Sequence, residues 1–116
     1  MREKIRDRER LQHILDTCNV LIDNKDKYSH QEIESDPIRY FGFVKHVEII
    51  GEATYKLTKE FRKSHSEIEW DLIEGMRHIL VHGYYQIKPQ QLWKTIDNDI
   101  VALKPYIERY LNEMEQ

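Results

Sequence analysis

Asp36-Pro37-Ile38-Arg39-Tyr40-Phe41-Gly42-Phe43-Val44-Lys45-His46-Val47-Glu48-Ile49-Ile50-Gly51-Glu52-Ala53-Thr54-Tyr55 is the stretch that decides the fold. Asp36 is a helix N-cap residue, and Pro37 suits the first helical position, where its missing N–H costs nothing. Beyond them Tyr40, Phe41, Val44, Val47, Ile50, Ala53, Tyr55, Leu57 and Phe61 keep helical spacing. The pattern predicts one long central helix that continues until Ser64-His65-Ser66 interrupts it. Phe41, Phe43, Ile49 and Ile50 cannot all point one way on that helix, so part of its surface is expected to bury against another chain, most simply a second copy.

Working outward, Leu11, Ile14, Leu15, Cys18, Leu21 and Ile22 mark an amphipathic helix over about residues 4 to 24. Ser29 followed by Glu32 reads as a capping box for a short helix. Downstream, Ile68, Trp70, Leu72, Ile73, Met76, Ile79 and Leu80 predict a third main helix ending near His82-Gly83. Pro89 opens a last helix with the stripe Leu92, Trp93, Ile96, Ile100, Leu103, Ile107, Tyr110 and Leu111, which Pro105 should kink. No stretch combines β-branched alternation with hairpin turn signals, although Tyr84 to Ile87 could be locally extended. The expected fold is a single all-α domain over residues 1–116, an antiparallel four- to five-helix up-and-down bundle.

The chain has 116 residues, 34% charged and 40% hydrophobic, with a formal net charge of −3. That balance argues against a protein that coats nucleic acid by bulk electrostatics, so any RNA contact must be local. Arg2, Lys4, Arg6, Arg8 and Arg10, interleaved with Glu3, Asp7 and Glu9, read as a solvated helix face with intrahelical pairs. No apolar run is long enough to span a bilayer, and the amino terminus lacks the apolar core of a signal peptide, so a cytoplasmic location without membrane contact is expected. Cys18 falls on an apolar stripe and reads as a buried thiol. Asp97-Asn98-Asp99 resembles a metal-binding D-x-D pair, but on a helix residues two apart diverge by about 200°, so a solvated face is the better reading.

Chemistry concentrates in Met76-Arg77-His78-Ile79-Leu80-Val81-His82-Gly83-Tyr84-Tyr85. An imidazole can take the proton of an RNA 2′-hydroxyl or return one to the leaving oxygen near neutral pH, and an arginine can hold the phosphate and its developing charge. Intramolecular attack by a 2′-hydroxyl needs no metal. On a straight α-helix Arg77 and His82, five residues apart, diverge by about 140°. They converge on one ligand only if the helix ends before His82 or if two copies face each other across a two-fold axis. The plain alternative is a helix-terminal Arg and His paired with carbonyls or stray carboxylates. His78 and His82 share the i, i+4 spacing of zinc ligands, but residue 79 is isoleucine where a zinc hydrolase carries glutamate, so no metal or other cofactor is expected. His13, His30, His46 and His65 are dispersed and read as surface or helix-flanking residues.

Arg6-Asp7-Arg8, Leu11-Gln12-His13-Ile14-Leu15, Val47-Glu48-Ile49-Ile50-Gly51-Glu52-Ala53, Ile68-Glu69-Trp70, Gly75-Met76-Arg77, Leu80-Val81-His82-Gly83-Tyr84 and Leu92-Trp93 follow one another at spacings that resemble the HepT-like branch of the HEPN superfamily over nearly the whole chain. The resemblance implies an all-α bundle that dimerises and a metal-independent ribonuclease that is the toxin of a type VII toxin–antitoxin system. It implies that Arg77 and His82 are the catalytic pair, contributed by each protomer. It further implies that Tyr84 is the tyrosine to which an MntA-like minimal nucleotidyltransferase adds AMP, silencing the toxin. Family members usually carry Asn directly after the motif arginine; here His78 stands there, able to bind phosphate or orient Arg77, or equally to weaken activity. The non-enzymatic alternative is a helical subunit of a nucleotidyltransferase complex that holds nucleotide or substrate without cutting it.

Overall fold

The computed structural model describes residues 2–78 and 88–115, and within these every regular element is helical. α1 (Arg2–Lys25) turns Leu11, Ile14, Cys18 and Leu21 inward. α2 (His30–Glu34) is held by the expected capping box: the Ser29 hydroxyl accepts the Glu32 N–H at 3.1 Å, and the Glu32 carboxylate accepts the Ser29 N–H at 3.1 Å. α3 (Pro37–Tyr55) starts where the Asp36 carboxylate accepts the Ile38 N–H. α1 lies against α3 and the C-terminal helix, and α3 also packs against the segment that carries Arg77. One cluster, including Leu11, Ile14, Val44, Val47, Ile50, Leu92, Ile96 and Ile107, is withdrawn from water. The all-α bundle is therefore as expected.

The central helix ends earlier than expected, and the helical bonding changes along the third and last helical segments. The central helix does not reach Phe61: α3 ends at Tyr55, and Thr58 caps a separate α4 (Lys59–Ser64), its hydroxyl accepting the Phe61 N–H. The break is fixed from α1. Asp7 accepts the Thr58 N–H at 2.9 Å and the Thr58 hydroxyl at 2.7 Å, while Arg10 donates to the Lys56 carbonyl. Asp7 is only 2% exposed, so this part of α1 is not the wholly solvated face that its alternating charges suggest. Asp7 keeps helical register with Leu11, Ile14, Cys18 and Leu21, and that register was the available clue.

The third helix departs from α geometry early: α5 (Trp70–Glu74) gives way to a 3-10 turn at Gly75–His78. Glycine is a weak helix former, and α3 presses on this backbone. In the last helical segment, α6 (Pro89–Lys94) passes through a π turn at Thr95–Ile100 into α7 (Val101–Met114), which continues through Pro105. Tyr84 to Ile87, for which a local extended stretch was expected, lies outside the described residues. Among the described residues no helix is long and apolar enough to cross a membrane.

Candidate active site

Arg77 is delivered by the 3-10 turn, and the turn is seated on α3 through Gly51. A Cβ at position 51 would stand 2.2 Å from the Arg77 amide nitrogen and 2.8 Å from the Met76 carbonyl carbon. Only glycine admits so close a backbone approach. One helical turn further along α3, the Tyr55 ring lies beneath the Arg77 guanidinium, whose central carbon is 3.6 Å from the ring centroid. That distance is well within cation–π range. Arg77 Nε is buried and has no hydrogen-bond partner among the described residues, and no carboxylate among them pairs with Arg77. An arginine engaged by helix carbonyls or a neighbouring carboxylate is therefore not what these residues show. The donors left to reach an incoming anion are those on the two Nη atoms.

Arg77 and His78 sit on a 3-10 turn and not on a regular α-helix. Divergence by about 140° over five residues holds for a continuous α-helix, whereas among the described residues α-helical bonding gives way after Glu74, ahead of Arg77. His78 is exposed at the end of the turn. His82 and Tyr84 lie outside the described residues, so the structure places Arg77 and His78 but not their expected partners.

Arg62 braces the platform. Its guanidinium reaches Glu74 and the Tyr55 carbonyl, both at 3.5 Å, joining the end of α3 to the end of α5. Tyr55 also lines an open groove of about 950 Å³ between α4 and α5, with Lys59, Arg62 and Lys63 set against Glu69, Asp71 and Glu74. Its charges balance, so the groove offers no bulk electrostatic grip on nucleic acid.

The other candidate residues have structural occupations. Asp97 stands 3.4 Å from Lys25 Nζ and 3.7 Å from His30 Nε2, tying the π turn to the end of α1 and the start of α2. Among the described residues no three of His, Cys, Asp and Glu are grouped to hold a metal ion. His30 stacks on Trp93, and His65 stacks on Phe61 with its Nδ1 2.9 Å from the Phe61 carbonyl oxygen. Burial pushes the Cys18 thiol up to about 12, against a smaller opposing influence from Lys104, so it stays protonated and unreactive at neutral pH. The residues that sequence reasoning missed are Gly51 and Tyr55. Tyr55 keeps the spacing of an apolar stripe, yet it is 48% exposed. A glycine amid the apolar run of α3 was the one available signal of a close approach.

Fold and site together define an all-α domain that presents a guanidinium on an aromatic shelf at a helix end. The chain belongs to the Ribonuclease HepT-like family, whose model matches residues 3–110. It is 38% identical to the protein named "Putative RNase TTE0752" of Caldanaerobacter subterraneus subsp. tengcongensis, over 89% of this chain and 92% of that one. It is 29% identical to "Probable ribonuclease HepT" of Thermococcus cleftensis, over 85% of this chain and 90% of that one. A protein of Methanocaldococcus jannaschii, also named as an RNase, is 33% identical over 84% of this chain and 90% of its own length. No solved structure matches the chain closely enough to carry an argument.

Proposed function

We propose that the chain is a metal-independent endoribonuclease, the toxin of a type VII toxin–antitoxin pair, acting through Arg77 and His82. The observation that carries this reading is Arg77 itself, with its guanidinium laid on Tyr55 and no carboxylate partner among the described residues. Such a group suits a phosphodiester, whose oxygens accept from a planar fork of N–H donors. In the reaction, His82 removes the 2′-hydroxyl proton, the 2′-oxygen forms a bond to phosphorus, and the bond to the 5′-oxygen breaks as that oxygen takes the proton from the His82 imidazolium. Arg77 holds the charge that builds on the non-bridging oxygens. Membership of the family and the names of the relatives support the reaction class.

The active unit in this reading is a homodimer. Phe41 and Tyr55 lie on the same side of α3 about four turns apart, and both remain exposed, at 40% and 48%, as does Ile38 at 86%. A second copy seated on that side would cover them and bring its own Arg77 near the first. The partner antitoxin in this reading is an MntA-like nucleotidyltransferase that adds AMP to Tyr84, placing negative charge and bulk where the RNA phosphate must sit.

The deciding experiment is cleavage of total RNA and tRNA in EDTA by protein shown by intact mass to be unmodified. Cleavage by wild type that disappears in His82→Ala and Arg77→Ala, with dimerisation retained, is the expected result. No cleavage by folded, dimeric wild type across varied RNAs overturns it in favour of a non-cutting subunit.

A further inference from the structure

We propose that Tyr55 is the positioning residue for Arg77, its ring holding the guanidinium in the plane from which the two Nη groups meet the RNA phosphate. The inference rests on the nuclease reading and deepens it. The contact is short, at 3.6 Å from guanidinium carbon to ring centroid, and it joins α3 to a turn outside it. A free arginine side chain explores many rotamers, which costs an enzyme orientation every time substrate arrives. Here two constraints remove that freedom from opposite ends. The Gly51 approach fixes the backbone nitrogen and Cα of Arg77. The Tyr55 face then fixes the head group, with Nε withdrawn from water and unpaired among the described residues. The Tyr55 backbone is tied as well, because its carbonyl accepts from Arg62, which also reaches Glu74 at the end of α5, just ahead of the turn.

The attraction is to the electron-rich ring face, so what position 55 requires is an aromatic face and not a phenol. Tyr55→Phe should cleave RNA within about twofold of wild type, and Tyr55→Leu should lose on the order of tenfold in kcat, the scale of a partly desolvated cation–π contact. Pentafluorophenylalanine incorporated at position 55 keeps the shape of the ring while draining its face of electron density. It should behave like Tyr55→Leu, an effect that a purely space-filling role would not produce.

The experiment measures kcat and KM for these variants beside wild type, His82→Ala and Arg77→Ala, at concentrations where sedimentation shows each to be dimeric. The Arg77 Nε–Hε signal is followed by NMR in the same samples. In wild type and Tyr55→Phe that proton should be displaced upfield by the ring current and exchange slowly with water; in Tyr55→Leu both properties should be lost. If wild type cleaves and His82→Ala does not, yet the Leu or fluorinated variant cleaves at the wild-type rate, or the Arg77 signal is the same in Tyr55→Leu, the inference is overturned while the nuclease reading stands. If folded wild type does not cleave at all, both are overturned.

Discussion

Replacing Gly51 by alanine puts a methyl carbon 2.2 Å from the Arg77 amide nitrogen, 2.8 Å from the Met76 carbonyl carbon and 2.9 Å from the Arg77 Cα. Comfortable carbon contacts begin near 3.5 Å, so α3 and the Arg77 turn must part by about an ångström. All three atoms are backbone, and none can rotate aside. Overpacking of this kind costs about 1–3 kcal/mol, here near the top of the range because the obstruction is main chain. Alanine returns part of it, about 0.5–1 kcal/mol, by its better helix propensity. The net is a loss of about 2 kcal/mol, or roughly 8 °C in melting temperature for a chain of this length. Gly42→Ala is the control with the opposite sign, since a Cβ there meets nothing within 4 Å in the same helix. It should raise the melting temperature by roughly 2–4 °C. Thermal denaturation followed by far-UV circular dichroism, at one protein concentration, reads both variants. If Gly51→Ala melts at or above wild type, as Gly42→Ala should, the close seating of the Arg77 turn on α3 is wrong.

Two further outcomes follow from the polar contacts. Asp7→Ala leaves the half-buried Thr58 N–H and hydroxyl without their acceptor, which costs about 1–2 kcal/mol; the same melting assay should show a fall of roughly 4–8 °C, and a change under about 2 °C would mean that the break after α3 is held by something else. Arg109 donates to the Glu67 carboxylate and holds it below the usual glutamate range, with Tyr110 adding a second bond. A carboxyl with a lowered folded pKa lends stability that is complete above its ordinary value of 4.5 and fades as pH falls through the lower folded value. The drop in melting temperature between neutral pH and about pH 3 should therefore be smaller in Arg109→Ala than in wild type, and equal drops would remove Glu67 from the acid sensitivity.

What could be read from the sequence was whatever depends on local chemistry. The Ser29–Glu32 box, the Asp36-Pro37 start and the Pro89 start each came from residues within one turn of each other, and each stands in the structure. The errors came where a distant segment decides. Periodicity carried the central helix through Lys56 to Thr58 because Leu57 and Phe61 keep the spacing, and nothing local reveals that Asp7, 51 residues away, takes the Thr58 donors. The same holds for the turn that bears Arg77, which is shaped by Gly51 from another helix.

That dependence bears on the chemistry directly. A helix continuing through Arg77 would project its side chain by α-helical arithmetic, along with Leu72, Ile73 and Met76, as one more residue of a regular surface. Ending the α-helix at Glu74 lets the packing against α3 choose the direction instead, and α3 supplies both the gap at Gly51 and the ring at Tyr55. Gly51 and Tyr55 are four residues apart, adjacent on one helix face, so a single helix sets the seat of the turn and the shelf for its guanidinium. A change that tilts α3 should then move both together. Arg62→Ala tests this, since it removes the tie between the Tyr55 carbonyl and Glu74 without touching Arg77. It should shift the Arg77 Nε–Hε signal in the direction seen for Tyr55→Leu while leaving the aromatic face itself in place.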